Sequence, residues 1–358
     1  MRKTIKIGFI FFFGLSLSVF AVYSSLLHWS HTGGANEQEV EIIIERGSSA
    51  HQIGRDLQKS GVLSSSFLFF TYLRLLTSDV NKLKSGDYLI PPHTTPERIV
   101  YMLAHGLQRE FKFTIPEGSS QEQIVQIIAK TRLASQEALE EALKNPLLHE
   151  ELNIPTTLGG GIEGYLFPDT YIFQAGTLPI TIFRHMHAQL LKNITPEMQE
   201  RMDQIGYSLN EVLTFASLIE KETVNSKERA LVASVFYNRL KKGMKLQTDP
   251  TVIYGVKRPK GKILKKDLQH KHAYNTYLHA GLPPGPIDSP GLAAIKAVLW
   301  PAKTNYLYFV AKGNGTHEFC PTYACHLKGI QAWLKHQPTH LDQPAPVPYD
   351  YMHALPTE

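Results

Sequence analysis

An internal repeat is the feature that most constrains how this chain can fold. Each copy contains a predicted strand, a Gly-Ser-Ser step and a short helix, and the copies start at Val40 and Phe111, about 71 residues apart. Helix residues of the same type recur at that offset, namely Gln52, Ile53, Leu57 and Lys59 in the first copy and Gln123, Ile124, Ile128 and Lys130 in the second. Such self-similarity predicts a duplicated supersecondary unit.

The first copy belongs to a small predicted module over residues 40–106. Residues Ser85 to Ile90 have a strand-like pattern, and Thr95-Pro96-Glu97 starts a helix with a cap, an N1 proline and an acidic first turn. The predicted order is therefore strand, helix, helix, strand, helix. This order resembles a LysM-type module, the glycan-binding unit of cell-wall proteins, while a plain α+β spacer is the alternative interpretation.

The chain start predicts a membrane anchor. Arg2, Lys3 and Lys6 precede an uncharged apolar run, Ile7 to Leu27, which is about long enough to cross a bilayer as a helix with its N-terminus in the cytoplasm. A cleaved signal peptide is the alternative, but the run exceeds a usual apolar core and no A-x-A site follows before Ser30. We therefore expect a single-pass anchor in the cytoplasmic (inner) membrane, with the rest of the chain on the extracytoplasmic, periplasmic side.

Composition narrows the class of protein. The 358 residues are 43% hydrophobic and 19% charged, enough for two or three small domains with real cores. The net charge of +5 comes without a long basic stripe, which argues against nucleic-acid binding. Cys320 and Cys325 could join His317 and His326 in a metal cluster, but the spacing matches none of the usual zinc patterns. A local disulfide, or two free thiols, is the expectation.

A predicted helix carries the candidate catalytic acid. Ser208 and Glu211 form a capping box, and from Leu209 the apolar residues recur at helical spacing. Glu220 falls inside this apolar sector, whereas Lys221 points roughly the opposite way. Burial against apolar neighbours raises the pKa of a carboxyl group, as a general acid near neutral pH requires. The alternative interpretation is an ordinary solvated or ion-paired acid.

Other stretches supply groups suited to a polyhydroxy ligand. A glycine-rich approach, Gly159 to Gly161, leads to an aromatic strand ending at Tyr171, and Gly281 to Ile287 is a stiff proline loop that could wall a groove. Amide, hydroxyl, carboxylate and aromatic side chains provide hydrogen bonds and flat stacking surfaces. The candidate substrate-binding residues are Glu163, Tyr165, Gln247, Thr248, Asp249, Tyr254, Asn275 and Tyr277.

The sequence also predicts three helices and a hairpin in the C-terminal half. A second helix runs from the cap residues Asn225 and Glu228 to Gly243, and another runs from Pro290 to Leu299. Two strands around Gly313-Asn314-Gly315 predict a hairpin. A helix from Tyr323 to His336 and a proline-rich tail follow.

Seven runs in this order resemble the YceG-like family of endolytic murein transglycosylases: EGYLFPDTY, ASLIEKET, YNRL, LQTDPTVIYG, YNTY, GLPPGPI and YLYFVA. The resemblance extends from the anchor to about residue 336. It implies that Glu220, in ASLIEKET, is the catalytic acid of a groove that cuts peptidoglycan glycan strands. It also implies partners among the penicillin-binding synthases that extend glycan. Cys325 stands where many relatives have an acidic residue, just before His326.

The number of carboxylates bears on mechanism. A sugar hydrolase normally needs two, whereas a lytic transglycosylase needs one, because the C6 hydroxyl of N-acetylmuramic acid is the nucleophile. Glu220 would protonate the glycosidic oxygen and then accept the C6 hydroxyl proton, leaving a 1,6-anhydro end, with no metal or organic cofactor. The alternatives are a muramidase, with Asp249 or Glu163 as second carboxylate, and a non-catalytic glycan-binding scaffold.

The fold class predicted from these patterns is α+β, with short antiparallel strands in a mixed catalytic domain. The expected order of domains is an anchor at 1–30, a linker at 31–39, the LysM-like module at 40–108, the second repeat as a connector at 109–158, the catalytic domain at 159–336 and the tail at 337–358.

Overall fold

The computed structural model describes residues 2–34, 36–155, 161–256 and 263–333, and it divides the chain into two compact units. Unit 1 contains Met1–Phe111 and Ile172–Thr177, and unit 2 contains Lys112–Tyr171 and Leu178–Glu358. The finer domain division expected from the sequence stays a prediction. Gly159 and Gly160 of the predicted glycine-rich approach, and the predicted tail, lie outside the described residues.

Unit 1 has the order of elements predicted for the module. Its helices and strands are α1 (Arg2–His31), β1 (Val40–Ile44), α2 (Ala50–Lys59), α3 (Ser66–Leu76), β2 (Gly86–Ile90) and α4 (Pro96–His105). The strands β1 and β2 are antiparallel, with Val40 opposite Ile90. Large side chains from all of these helices and strands form one core, including Leu57, Phe69 and Tyr88, which are fully buried.

The C-terminal end of α1 is part of that core. Leu26 is buried in the cluster, and the indole Nε1 of Trp29 donates to Ser64 Oγ at 3.0 Å. The predicted linker is also tied to the unit, since Asn36 Nδ2 donates to the Pro91 carbonyl at 2.9 Å. Across the ranges that the structure describes, we find no helix with both the length and the apolar character needed to cross a membrane. The predicted anchor therefore stays a prediction.

Short strands and many helices make up the rest of the chain. These elements are β3 (Glu110–Thr114), α5 (Gln121–Lys130), α6 (Gln136–Leu143), α7 (Pro146–Glu151), β4 (Thr170–Gln174), α8 (Pro179–Asn193), α9 (Pro196–Ile205), α10 (Leu209–Glu222), α11 (Arg229–Lys241), α12 (Asp249–Gly255), α13 (Leu292–Leu299), β5 (Tyr308–Ala311), β6 (His317–Cys320) and α14 (Tyr323–Trp333). The division between the two units falls within β3 and β4, which pair with each other. The predicted α+β class with short antiparallel strands is confirmed.

Helix α10 lies at the centre of unit 2. It starts at the predicted capping box, in which Ser208 accepts from the Glu211 amide while the Glu211 side chain accepts from the Ser208 amide. It packs against α11, α12 and α13. Phe215, Leu218 and Ile219 have no exposed surface. The helix is therefore held rigidly along its length, which fixes the position of its last turn.

The predicted hairpin and a disulfide bond close unit 2. Strands β5 and β6 are antiparallel, with Tyr308 opposite Cys320. Cys320 at the end of β6 is bonded to Cys325 in the first turn of α14. The local disulfide is thus confirmed over the alternative of two free thiols.

Candidate active site

Glu220 occupies the last turn of α10 and is only 7% exposed. Its Oε1 accepts a hydrogen bond from Arg229 Nη2 at 2.7 Å, and its Oε2 accepts one from the Gly291 amide at 3.0 Å. Arg229 is the first residue of α11, and Gly291 is the N-cap of α13. Three elements that pack together therefore fix both oxygens of one buried carboxyl group.

The buried position of Glu220 is confirmed, but its surroundings are not only apolar. An opposite charge at hydrogen-bond distance favours the ionised form of a carboxyl group, and burial alone favours the neutral form. Helical periodicity reports only which residues share a face of one helix, so it could not show that Arg229 arrives from the next helix.

The predicted direction of Lys221 is wrong. Its Nζ donates to the Gly118 carbonyl at 2.5 Å and lies 3.7 Å from Asp288 Oδ2. Gly118 also abuts Glu220, because a Cβ added at Gly118 would lie 3.5 Å from Glu220 Cγ. The reason is the length of the lysine side chain, which bends back to the site despite its Cα position on the helix.

Two more acids, Asp288 and Glu163, are buried beside Glu220 and Lys221. Asp288 has no exposed surface, and burial raises its pKa well above the usual range, with Lys221 opposing and the charges of Glu220 and Glu163 adding to the rise. Glu163 is 8% exposed and accepts from the Gln121 amide at 2.8 Å. Burial raises the pKa of Glu163 to about 7. Such shifted acids gather at functional sites more often than elsewhere.

A second polar cluster lies on the other side of the same helix turn. The Thr248 hydroxyl donates to Glu222, whose pKa is raised to about 7, mainly by burial. The Tyr277 hydroxyl donates to Asp249 Oδ1 at 2.6 Å. The structure therefore brings together three of the predicted substrate-binding residues, Thr248, Asp249 and Tyr277, with an acid that was not among them.

The other predicted substrate-binding residues have separate environments. The Asn275 amide donates to the carbonyls of Leu268 and His270, at 3.1 and 2.9 Å, and the residue is fully buried. The Tyr165 hydroxyl donates to Asn210 Oδ1 at 3.1 Å. The Tyr254 side chain hydrogen-bonds to Glu163, and its ring centroid lies 4.8 Å from that of Tyr274. Gln247 is exposed, with a left-handed φ of 51°.

The predicted proline loop lines a pocket of about 360 Å³. The lining also includes residues from the first half of α10, and the full set is Tyr207, Asn210, Glu211, Thr214, Leu240, Leu282, Pro283 and Pro284. Glu211 and Glu220 are separated by about 14 Å along the helix axis, at 1.5 Å per residue. The pocket therefore lies towards the opposite end of α10 from the buried acid.

Four residues at Glu220 were missed in the sequence: Glu117, Arg229, Asp288 and Gly291. Glu117 precedes the Gly-Ser-Ser step of the second repeat. The sequence predicts this repeat to be a connector, yet Arg229 Nη2 lies 3.4 Å from Glu117 Oε2. The repeat itself was the available signal, because its second copy supplies Gly118 and Glu117 to the site. The other three residues come from distant loops and helices, which no local pattern connects.

Comparisons with known proteins agree with this architecture. Residues 42–332 match the model of the YceG-like family. The endolytic murein transglycosylase of Bacillus subtilis (strain 168) is 34% identical over 313 residues, which is 82% of this chain and 85% of that protein. The protein of the same name from Streptococcus pneumoniae serotype 2 (strain D39 / NCTC 7466) is 31% identical over 310 residues, covering 77% of this chain and 55% of that protein. A crystal structure of a yceG-like protein from Listeria monocytogenes matches with a TM-score of 0.59 at 31% identity, over 82% of this chain and 99% of that one. The chain belongs to the YceG-like family.

Proposed function

We propose that this chain is a lytic transglycosylase that cleaves the β-1,4 bond between N-acetylmuramic acid and N-acetylglucosamine in peptidoglycan glycan strands. The observation that carries the proposal is Glu220, a buried carboxyl group with both oxygens fixed at the end of a rigid helix. The names of the relatives from Bacillus subtilis and Streptococcus pneumoniae support the reaction class.

The proposed reaction needs one group that acts as acid and then as base. Protonated Glu220 gives its proton to the glycosidic oxygen while the bond from that oxygen to C1 breaks. The C6 hydroxyl of the same muramic acid then attacks C1 and returns its proton to Glu220, so a 1,6-anhydro end forms without water. The hydrogen bonds from Arg229 and Gly291 stabilise the carboxylate that exists between these two steps.

The proposed substrate-binding residues divide into exposed residues that can contact the glycan and buried residues that support them. Gln247, Asp249, Tyr254 and Tyr277 keep exposed surface, so they can contact sugar hydroxyls or stack against rings. Glu163, Tyr165, Thr248 and Asn275 are buried, and we assign them to supporting the groove wall.

We also propose that the chain is anchored in the cytoplasmic membrane and ends nascent glycan strands beside a penicillin-binding synthase. The positive N-terminus and the apolar run from Ile7 to Leu27 support the anchor. A LysM-like role for the residue 40–106 module would hold the glycan close. Protease added outside intact spheroplasts should digest the chain beyond the anchor; a fully protected chain would contradict this orientation.

Mass spectrometry of glycan products tests the proposed reaction. The full chain and its Glu220→Gln variant are incubated with purified glycan strands. Ends carrying 1,6-anhydromuramic acid from the unsubstituted chain alone are expected. Products heavier by one water would indicate a muramidase, and a folded chain that binds glycan without cutting it would indicate a scaffold.

A further inference from the structure

Arg229 contacts two carboxylates through one nitrogen. Its Nη2 lies 2.7 Å from Glu220 Oε1 and 3.4 Å from Glu117 Oε2. The Arg229 side chain is 10% exposed, Glu220 is 7% exposed, and Glu117 is 48% exposed. A buried acid and a solvent-accessible acid therefore compete for the same guanidinium.

Nothing in the described part of the chain locks this guanidinium to one partner. The Arg229 Nε is buried and has no hydrogen-bond partner among the described residues, and the bonds to Glu220 and Glu117 both come from Nη2. Each acid is therefore held through one nitrogen and not through a two-nitrogen fork. The neighbouring residue is fixed, however, because Glu228 accepts hydrogen bonds from the amide and ring Nδ1 of His317, at 3.1 and 2.8 Å. The backbone of Arg229 is thus held at a position from which its Nη2 lies within 3.4 Å of both acids.

Glu117 occupies a defined slot rather than a random surface position. A Cβ at Gly291 would overlap the Glu117 carboxylate, and the same Gly291 donates its amide to Glu220. The backbone on either side is paired as well, since Gly118 N donates to the Ser289 carbonyl at 2.9 Å and Ser289 N donates to the Ser119 carbonyl at 2.9 Å. The loop that carries Glu117 is therefore hydrogen-bonded to the loop before α13, whose Gly291 amide donates to Glu220.

We propose that Glu117 is a positioning residue that divides the charge of Arg229 and thereby sets how readily Glu220 holds its proton. This inference rests on the proposed function, in which Glu220 must be protonated before the first step. When Glu220 carries the proton, Arg229 turns to Glu117; when Glu220 has given the proton to the glycosidic oxygen, Arg229 returns to it. No proton is gained or lost over the cycle, because the C6 hydroxyl restores the one that left.

The surrounding charges agree with a coupled pair. The pKa of Glu117 is raised by burial and then by the charge of Glu220, with Arg229 opposing. The other charged groups at the site are Lys221, Asp288 and Glu163. Neither Lys221 nor Asp288 contacts Glu117 within the hydrogen bonds and ion pairs of the described residues, so a change at Glu117 acts through Arg229 and Glu220.

The test is the pH profile of kcat/KM for the full chain on glycan strands, with anhydro ends as the product measured. In Glu117→Gln, Glu220 is the only carboxylate that Arg229 contacts, which favours the ionised form of Glu220. The alkaline limb should therefore move to lower pH by about one unit. In Arg229→Met, the same limb should move to higher pH. Glu117→Asp should restore much of the normal profile, and Glu122→Gln, which removes an exposed charge nearby in the sequence, is the matched control and should not move the limb.

The outcomes separate the two proposals. An unchanged limb, or one that moves to higher pH in Glu117→Gln, overturns the role of Glu117 while anhydro ends from the unsubstituted chain still support the reaction. A chain that makes no anhydro ends fails the proposed function itself. Circular dichroism of each variant shows whether it is folded, and Glu117→Asp supplies a second reading if Glu117→Gln is not.

Discussion

At the scale of single residues, a close approach between two loops explains why the EGYLFPDTY run needs a glycine at position 164. Gly164 has a left-handed φ of 82°, and an added Cβ would lie 2.5 Å from Pro286 Cγ in the proline loop. Gly164→Ala should therefore cost both backbone strain and overpacking against a stiff ring, about 2–4 kcal/mol in the free energy of unfolding. Urea denaturation of the variant measures this loss.

Gly206 supplies the matched control for that substitution. It caps α9 with a φ of 70°, and nothing lies within 4 Å of an added Cβ. Gly206→Ala should cost only the backbone strain, about 1 kcal/mol. Equal losses for the two alanine variants would contradict the importance of the contact between Gly164 and Pro286.

Glu163 predicts a pH dependence of stability. Burial raises its pKa from 4.5 to about 7 in the folded chain, so the folded state binds the proton more tightly than the unfolded state. The stability it contributes is fully present below pH 4.5 and is lost as the pH rises through about 7. Relative to Glu163→Gln, which stays neutral, the unsubstituted chain should lose about 2.5 kcal/mol between pH 5 and pH 8. Urea denaturation at several pH values measures the difference, and a difference that does not vary with pH would show that Glu163 stays ionised.

At the scale of elements, the two copies of the repeat fold alike but meet different neighbours. Gly47 and Gly118 both have left-handed φ angles, 83° and 75°, and Ser49 and Ser120 both cap the helix that follows. A Cβ at Gly47 would meet nothing within 4 Å, whereas one at Gly118 would contact Glu220 and Lys221. Local residues specify the shared conformation, and only the tertiary fold decides which copy serves the candidate site.

This difference explains what could be predicted from the sequence. The capping box of α10, the hairpin of β5 and β6, and the burial of Glu220 depend on neighbouring residues or on helical periodicity, and all three are present. The Arg229 and Gly291 contacts depend on how α11 and α13 pack against α10, which no local pattern encodes. Helical periodicity therefore predicts the burial of Glu220, whereas its partners on α11 and α13 have no local signal in the sequence.

The YNRL run of α11 has a structural role that can be measured. Asn238 Nδ2 donates to the carbonyls of Thr304 and Tyr306, at 3.0 and 2.9 Å, and so holds the segment that leads into β5. Asn238→Ala leaves two carbonyls without this donor and should lower the free energy of unfolding by about 2 kcal/mol. Asn193→Ala, which removes only a bond to Gln189 within α8, should cost less than about 0.5 kcal/mol. Similar losses by urea denaturation would show that the Asn238 bonds are replaced by water.

At the scale of the whole molecule, the chain enters unit 1 twice. The segment Ile172–Thr177 belongs to unit 1 although it lies about 60 residues beyond Phe111, and the Ala175 amide donates to the Arg109 carbonyl at 2.8 Å. Hydrophobic patterns and linkers predict contiguous domains, so a short returning segment of this kind has no signal in the sequence. It also means that unit 1 cannot be removed by a single cut without losing one of its parts.

Two separate cores predict that either unit can open while the other stays folded. Leu57 in α2 and Leu218 in α10 are both fully buried, and truncation of each to alanine should cost about 3 kcal/mol. In hydrogen exchange of the full chain, Leu57→Ala should speed exchange in β1, α3 and β2 but leave α11 and α13 protected, and Leu218→Ala should do the reverse. Faster exchange of both units in both variants would show one cooperative structure. Separate opening would mean that changes in unit 1 can occur without disturbing the helices that hold Glu220.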